Sequence, residues 1–317
     1  MSTLHVTVSG CQRIATAFDA ARDGGRRAAL MPFLMGGFPS LDASAQIAAA
    51  YADGGADLIE LGVPSLEAPS DGPVIRAAGT AALRAGATLD AILDIARTMS
   101  QRLPVIVMSY ADVVAAHGAH RFAEDLRTAG ASGLVVPDLP SGAAPALLDA
   151  CDAAGIALVP VVAPTTHDDD IAHIAARARG FVYVVSRNGA TGERAALSAD
   201  ARRLIERVKA HSTVPVALGF GISTPVHAAQ AASVGADGVI VGSRLVRAAG
   251  EARNPPAAVR EVLAELGRAL TPTGAKSPAP RTSVRVSDGA SGPLRRFGQA
   301  RARRRGPGGQ VVASERS

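Results

Sequence analysis

Residues 57–73 read DLIELGVPSLEAPSDGP, and this stretch contains the pattern from which the fold is predicted. The run Asp57–Val63 is almost wholly apolar and does not alternate with polar residues, as expected of a strand that is buried on both faces. A more polar loop follows Pro64. Pro73 suits the first turn of a helix, because its fixed φ is helical and an N–H has no acceptor there. The stretch therefore predicts a buried strand, a loop and the start of a helix.

The same unit recurs along the chain. Ala-rich segments with helical spacing, such as Ala43–Tyr51 and Pro225–Val234, separate short apolar runs bounded by Gly or Pro. Eight strand–helix units in about 250 residues are the arrangement of a TIM barrel. A doubly wound sheet would need fewer strands and a G-x-G-x-x-G turn, which Met35–Phe38 lacks. We therefore predict an α/β fold with a single (β/α)8 TIM barrel. Its predicted strands are Ala28–Met35, Asp57–Val63, Pro104–Tyr110, Gly133–Pro137, Ala157–Ala163, Gly180–Ser186, Val214–Phe220 and Gly238–Val241.

The net charge divides the chain into two parts. The 317 residues carry +5 in total, of which residues 271–317 carry +8 and residues 1–270 carry −3. The terminal part is rich in Gly, Pro, Ser and Arg, which predicts a disordered basic tail. We expect a solvated extension there, with nucleic-acid binding by Arg301–Arg305 as the less favoured alternative. The predicted domains are an N-terminal segment with a leading helix (1–27), the barrel (28–270) and the tail (271–317).

Composition also excludes several classes of protein. No apolar run approaches the roughly 18 residues of a membrane span, and the N-terminus MSTLHVTVSG does not resemble a signal peptide. Two cysteines, Cys11 and Cys151, are too few for a disulfide framework, so we expect a cytoplasmic protein. The histidines lack ligand spacing, which predicts surface positions and no metal site. They include His117, His120, His167, His173, His211 and His227.

Glu60 is a charged residue type inside the apolar run Asp57–Val63. The two-residue period of a strand points it either into the barrel or towards the helices. A buried carboxyl is costly unless it is paired or its pKa is raised. Glu60 is therefore a candidate general acid and base, and the alternative is a strand-end Glu paired with a Lys or Arg.

Asp71 lies shortly before Pro73, where the cap of the following helix is expected. The residue alone therefore predicts a helix cap. Its position in the loop after the strand of Glu60 also makes the two carboxylates a candidate acid–base pair, because catalytic residues of a barrel lie at the carboxyl ends of the strands.

Three glycine-containing loops follow the last three predicted strands. They contain Arg187–Gly192, Gly219–Ser223 and Gly242–Ser243. Glycine lets backbone N–H groups approach an anion closely, and a helix N-terminus adds a favourable dipole. The three loops together predict a phosphate site at the carboxyl ends of the strands.

The motifs quoted above resemble those of the tryptophan synthase alpha-subunit family. The resemblance rests on Glu60–Pro64, Asp71–Pro73, Tyr110–Asp112, Pro137–Pro140, Arg187–Gly192, Gly219–Ser223 and Gly242–Ser243, in this order over about Ala28 to Ala269. It implies a lyase that cleaves indole-3-glycerol phosphate into indole and glyceraldehyde 3-phosphate in tryptophan biosynthesis, without cofactor or metal. It also implies a partner, the tryptophan synthase beta subunit, in an alpha2-beta2 complex.

The resemblance assigns a role to each matching residue. Glu60 would be the acid and base at C3 of the indole and at the side-chain hydroxyl, and Asp71 would hold the indole N–H. The implied substrate-binding residues are Phe33, Tyr110, Val135, Tyr183, Thr191 and Phe220. The implied phosphate-binding residues are Gly192, Gly221, Gly242 and Ser243.

The loop between Pro64 and Asp71 departs from the family pattern. It reads Ser65–Ser70 (SLEAPS) where the family typically has Phe-Ser-Asp-Pro, and Asp112 and Ala190 replace the usual Asn and Val. Because this loop contacts the beta subunit in the family, a stand-alone indole-releasing lyase is an alternative function. A non-catalytic phosphate-binding regulatory barrel is an alternative of another class, against which the presence of both Glu60 and Asp71 argues.

Overall fold

A computed structural model describes residues 9–139, 145–185, 199–219 and 221–272 of the chain. Within these ranges lie nine strands and twelve helices. The strands are β1 (Ala29–Met35), β2 (Ile59–Gly62), β3 (Val105–Met108), β4 (Gly133–Val135), β5 (Ala157–Val159), β6 (Val161–Val162), β7 (Val182–Val185), β8 (Val216–Gly219) and β9 (Gly238–Val241). The helices are α1 (Gly10–Asp23), α2 (Leu41–Asp53), α3 (Pro73–Arg84), α4 (Leu89–Ser100), α5 (Ala111–His117), α6 (Ala119–Thr128), α7 (Pro145–Ala154), α8 (Asp168–Arg177), α9 (Ala199–Lys209), α10 (Pro225–Ser233), α11 (Ser243–Glu251) and α12 (Pro255–Leu270).

The strands form one parallel sheet in the order β5-β4-β3-β2-β1-β9-β8-β7-β6. The two ends of this order, β5 and β6, are consecutive in the chain and are separated only by Pro160. The carbonyl of Pro160 accepts a 2.9 Å hydrogen bond from the N–H of Tyr183 in β7. The sheet is therefore closed through Pro160, and the predicted TIM barrel is confirmed. The predicted strand Ala157–Ala163 is wrong as one continuous strand, because proline has no N–H for the ladder.

Two apolar layers surround the strands, because successive side chains of a strand point to opposite faces. One layer fills the barrel and includes Phe33, Ile106 and Tyr183. The other packs between strands and helices and includes Leu34, Leu61 and Val107. The sequence pattern alone could not separate the layers, since both faces of each strand are apolar.

Helix α1 covers the amino-terminal end of the barrel. The Phe18 side chain of this helix packs against Phe181, which lies just before β7, with ring centroids 5.9 Å apart. Arg13 donates a 2.7 Å hydrogen bond to the carbonyl of Gly130, in the turn before β4. A substrate pocket is therefore expected at the other end, where the carboxyl ends of the strands lie. None of the described helices is long and apolar enough to cross a membrane.

Candidate active site

A pocket lies at the carboxyl ends of the strands. Most of its wall is apolar, and its polar side chains carry carboxyl or hydroxyl groups. Its described lining residues are Phe33, Glu60, Ser70, Asp71, Ile75, Met108, Val135, Pro137, Val161, Tyr183, Val185, Gly221, Ile222, Ile240, Gly242 and Ser243. The structure thus brings the candidate carboxylates and the candidate phosphate-binding loops to one pocket.

Glu60 points into the barrel because of its register in the sheet. It is paired with Phe33 in β1 and with Ile106 in β3, and both of these side chains belong to the inner apolar layer. Only 4% of Glu60 is exposed. Burial, with a smaller contribution from the charge of Asp71, raises the pKa of Glu60 to about 8. No ion pair among the described residues includes Glu60, so the alternative of a paired strand-end Glu is not what the structure shows.

Asp71 is positioned by a tight turn rather than by a helix cap. Its N–H donates a 3.2 Å hydrogen bond to the carbonyl of Ala68, which closes a turn with Pro69 at the second position, where proline is favoured. The cap residue of α3 is Gly72, and no side chain caps this helix. The helix-cap interpretation of Asp71 is therefore wrong.

The carboxyl of Asp71 is bound by the phenol of Tyr110. Tyr110 Oη donates a 2.8 Å hydrogen bond to Oδ1 of Asp71, and both residues are buried. Burial raises the pKa of Asp71, whereas this hydrogen bond and the charge of Arg76 lower it. Tyr110, predicted to bind substrate, is not among the described pocket-lining residues and contacts Asp71.

The start of α5 connects the loops that surround the pocket. Next to Tyr110, the N–H of Ala111 donates a 3.0 Å hydrogen bond to Oδ1 of Asp138. The following residue, Asp112, accepts a 3.3 Å hydrogen bond from Oγ of Ser65. The loop that contains Asp71 is therefore bound to the residues around the start of α5 at two points, by the Ser65–Asp112 and the Asp71–Tyr110 hydrogen bonds.

The described part of the candidate phosphate site comprises Gly221, Ile222, Gly242 and Ser243, which we call the anion cradle. Gly221 has φ of +80°, a conformation that favours glycine. Gly242 precedes α11 and provides no side-chain cap, so a ligand can accept from the first N–H groups of that helix. A Cβ on Gly242 would lie 3.7 Å from Phe33 and Ile75, both of which line the pocket. A side chain there would occupy the space that the cradle offers to an anion.

The apolar wall contains three predicted residues, Phe33, Val135 and Tyr183. Burial raises the pKa of the Tyr183 phenol well above its usual value, so this side chain remains neutral. The sequence interpretation did not single out the other wall residues. For Met108, Val185 and Ile240 a signal was available, because they lie on strands at positions of the inner face. Met108 and Val185 lie two positions after Ile106 and Tyr183, on the same inner face, and Ile240 belongs to the same apolar layer.

Three predicted site residues, Thr191, Gly192 and Phe220, lie outside the described residues. The structure corrects the interpretation of one histidine, because His227 is only 2% exposed and contacts Ser223. Among the described residues, no group of three His, Cys, Asp or Glu side chains is arranged to hold a metal ion.

The fold and the pocket define a class of protein: a TIM-barrel enzyme with two buried carboxyl groups beside an anion cradle. Comparison with known proteins identifies the family within this class. The sequence model of the tryptophan synthase alpha chain family matches residues 18–271 of this chain. The chain belongs to the tryptophan synthase alpha chain family.

Individual relatives agree with the family match. The tryptophan synthase alpha chain of Methanosarcina acetivorans is 41% identical over 267 residues, which are 84% of this chain and 96% of the relative. That of Gloeobacter violaceus is 44% identical over 237 residues, or 74% of this chain and 86% of the relative. A structure of Mycobacterium tuberculosis tryptophan synthase superposes with a TM-score of 0.77 at 37% identity, covering 82% of this chain and 99% of that chain.

These comparisons confirm the predicted family, and with it the prediction of an enzyme, a lyase of tryptophan biosynthesis. Neither the stand-alone lyase nor the non-catalytic barrel gains support from the relatives.

Proposed function

We propose that this chain cleaves indole-3-glycerol phosphate into indole and glyceraldehyde 3-phosphate, with Glu60 and Asp71 as its catalytic residues. The indole ring packs against the apolar wall of the pocket, and the phosphate binds in the anion cradle. The observation that supports this assignment most strongly is that one pocket contains both carboxyl groups, the apolar wall and the cradle.

Glu60 moves the proton that the reaction requires. The bond between C3 of indole and the side chain breaks after C3 is protonated, and the side-chain hydroxyl must then lose its proton to become the aldehyde. With its pKa raised to about 8, Glu60 is largely protonated at neutral pH and can donate to C3. As a carboxylate it then accepts the hydroxyl proton and returns to its starting form.

Asp71 stabilises the charge that forms on the ring. Protonation at C3 makes the ring nitrogen cationic, and a carboxylate beside the N–H favours that state over the neutral substrate. The hydrogen bond from Tyr110 favours the charged form of Asp71 and thus opposes the effect of burial. Burial outweighs these effects, so the pKa of Asp71 stays above its usual value. We assign the charged role to Asp71 and the protonated role to Glu60, because only Asp71 has this hydrogen-bond donor and the nearby charge of Arg76.

Substrate binding combines the described residues with those known only from the resemblance. Phe33, Val135 and Tyr183 line the pocket and are proposed to contact the indole ring. Gly221, Gly242 and Ser243 also line it and are proposed to bind the phosphate. Thr191, Gly192 and Phe220 are proposed to complete the site on the resemblance alone.

We further propose that the chain works with a tryptophan synthase beta subunit, in the cytoplasm. The partner is supported by the family and by the similarity to the Mycobacterium tuberculosis tryptophan synthase structure. The location is supported by the role of the family in amino-acid biosynthesis and by the free cysteines Cys11 and Cys151.

The proposal is tested by incubating the purified chain with indole-3-glycerol phosphate, alone and with a beta subunit of a close relative. We expect indole and glyceraldehyde 3-phosphate in equal amounts, and faster release with the beta subunit. Absence of both products under both conditions would contradict the proposal. Release that is identical with and without several beta subunits would instead support a stand-alone lyase.

A further inference from the structure

Ser223 connects the two halves of the anion cradle. It follows Ile222 directly and is only 4% exposed. Its carbonyl accepts a 3.2 Å hydrogen bond from Nη1 of Arg244, and Arg244 follows Ser243 directly. One guanidinium group thus joins the segment of Gly221 and Ile222 to the first turn of α11.

His227 holds Ser223 from the opposite side. Its Nδ1 lies 3.3 Å from Oγ of Ser223 and 3.4 Å from the backbone nitrogen of Ser223. His227 itself is buried in the first turn of α10, whose cap is the hydroxyl of Thr224. Because both the N–H side and the carbonyl side of Ser223 have partners, the backbone that leads into the cradle is fixed in one position.

The charge of Arg244 has a second consequence. The described lining of the pocket contains the acidic residues Glu60 and Asp71 and contains no Lys or Arg. A phosphate group would therefore depend on backbone N–H groups and on cations just outside the lining. Arg244 is such a cation, and its ion pair with Glu265, at 3.7 Å, is longer than a direct hydrogen bond.

We propose that Arg244 is a positioning residue for the phosphate of the substrate. It fixes the distance between the two halves of the cradle through Ser223, and its charge favours a bound dianion. His227 supports the same backbone from the other side. This inference rests on the proposed function, since it assumes that the cradle binds the phosphate of indole-3-glycerol phosphate.

The test separates phosphate binding from chemistry. Arg244→Met and Arg244→Lys are compared with wild type and with Arg97→Met, which removes an exposed arginine near the end of α4, before β3 begins. Calorimetry gives the Kd of glycerol 3-phosphate and, separately, of indole. Steady-state kinetics give kcat and KM for indole-3-glycerol phosphate.

We expect Arg244→Met to weaken glycerol 3-phosphate binding and to raise KM by about tenfold, because a charge-assisted hydrogen bond is lost. The values of kcat and of the indole Kd should stay within about twofold, since the carboxyl groups and the apolar wall are unchanged. Arg244→Lys keeps the charge but not the planar guanidinium group, so its Kd for glycerol 3-phosphate and its KM should lie between those of wild type and of Arg244→Met.

The inference is overturned if Arg244→Met binds glycerol 3-phosphate as tightly as Arg97→Met does, or if it lowers kcat at unchanged KM. Thermal unfolding shows whether each variant is folded. If Arg244→Met does not fold, His227→Gln serves as the test, with the same expected rise in KM and Kd. A wild-type chain that binds glycerol 3-phosphate but releases no indole would contradict the proposed function and not this inference.

Discussion

The hydroxyl of Tyr110 donates a 2.8 Å hydrogen bond to Oδ1 of Asp71, between residues 39 positions apart in the chain. Tyr110 lies between β3 and α5, and Asp71 lies in the loop between β2 and α3, so the bond joins the loops that follow two adjacent strands. Tyr110 is 1% exposed and Asp71 5%, which means that little water competes for the bond. The buried carboxyl of Asp71 thereby has a partner that favours its charged form.

Tyr110→Phe should lower kcat/KM by about tenfold, because a hydrogen bond to a charged group is lost. The loss should be larger on the acid side of the pH profile, since the bond lowers the pKa of Asp71 and its removal favours the neutral carboxyl. The pH dependence of kcat/KM checks this. A uniform loss at every pH would indicate that Tyr110 acts only on packing.

Asp71→Asn should lower kcat by about 10²–10³-fold with little change in KM, because the charge acts mainly when the ring nitrogen becomes cationic. Indole release under saturating substrate measures the effect. Because Asp71 does not cap α3, the thermal stability of this variant should not show the loss expected of a removed cap. A less stable variant with normal kcat would exclude Asp71 from the chemistry.

The pKa of Glu60 predicts the alkaline behaviour of the enzyme. The value is raised to about 8 in the fold, so the protonated form stabilises the folded protein relative to the charged one. That stability is fully present below the unfolded pKa and is lost as the pH rises through the folded pKa. Wild type should therefore lose unfolding free energy relative to Glu60→Gln between about pH 5 and about pH 9.

Denaturant unfolding of the two proteins at several pH values checks this difference. The activity of wild type should decline only as the pH rises through about 8, because Glu60 in the folded protein then loses the proton that it donates to C3. A stability difference that does not change with pH would show that Glu60 is already charged in the folded protein at neutral pH.

The loop Ser65–Ser70 predicts a weak dependence on the beta subunit. In this chain the loop is bound internally, by Ser65 to Asp112, by the turn from Ala68 to Asp71, and by Arg76, which donates to the carbonyls of both turn residues. We expect a beta subunit to raise the rate of indole release by less than about tenfold, about 1.4 kcal/mol of barrier.

Restoring the family pattern with Ser65→Phe, Leu66→Ser, Glu67→Asp and Ala68→Pro should increase that activation. Leu66→Ser alone is the matched control, because Leu66 is 82% exposed and no hydrogen bond of the described loop depends on its side chain. Strong activation of the unmodified chain by a beta subunit would contradict the expectation that the internal contacts of this loop weaken its dependence on the partner.

The sequence predicted the barrel well because each strand lies in a short apolar run that is bounded on at least one side by Gly or Pro. The run that differs, Ala157–Ala163, contains Pro160, whose missing N–H interrupts the strand where the barrel closes. Local patterns of this kind depend only on neighbours in the chain, so they can be read without a structure.

The site was predicted less completely, because its contacts join distant parts of the chain. The two-residue period could not decide which face Glu60 occupies, and the register with Phe33 and Ile106 decides it. The bond from Arg244 to Ser223 spans 21 positions. The roles of Thr191, Gly192 and Phe220 stay predictions.

If Glu60 moves the proton in the cleavage reaction, the variant Glu60→Gln should lose almost all activity. Glutamine keeps the shape of the side chain but cannot donate and accept this proton. Indole release from indole-3-glycerol phosphate, measured at saturating substrate with Kd of glycerol 3-phosphate as the control for an intact pocket, should fall by about 10²–10⁴-fold while the control stays unchanged. Near-normal indole release by a folded Glu60→Gln variant would contradict the account.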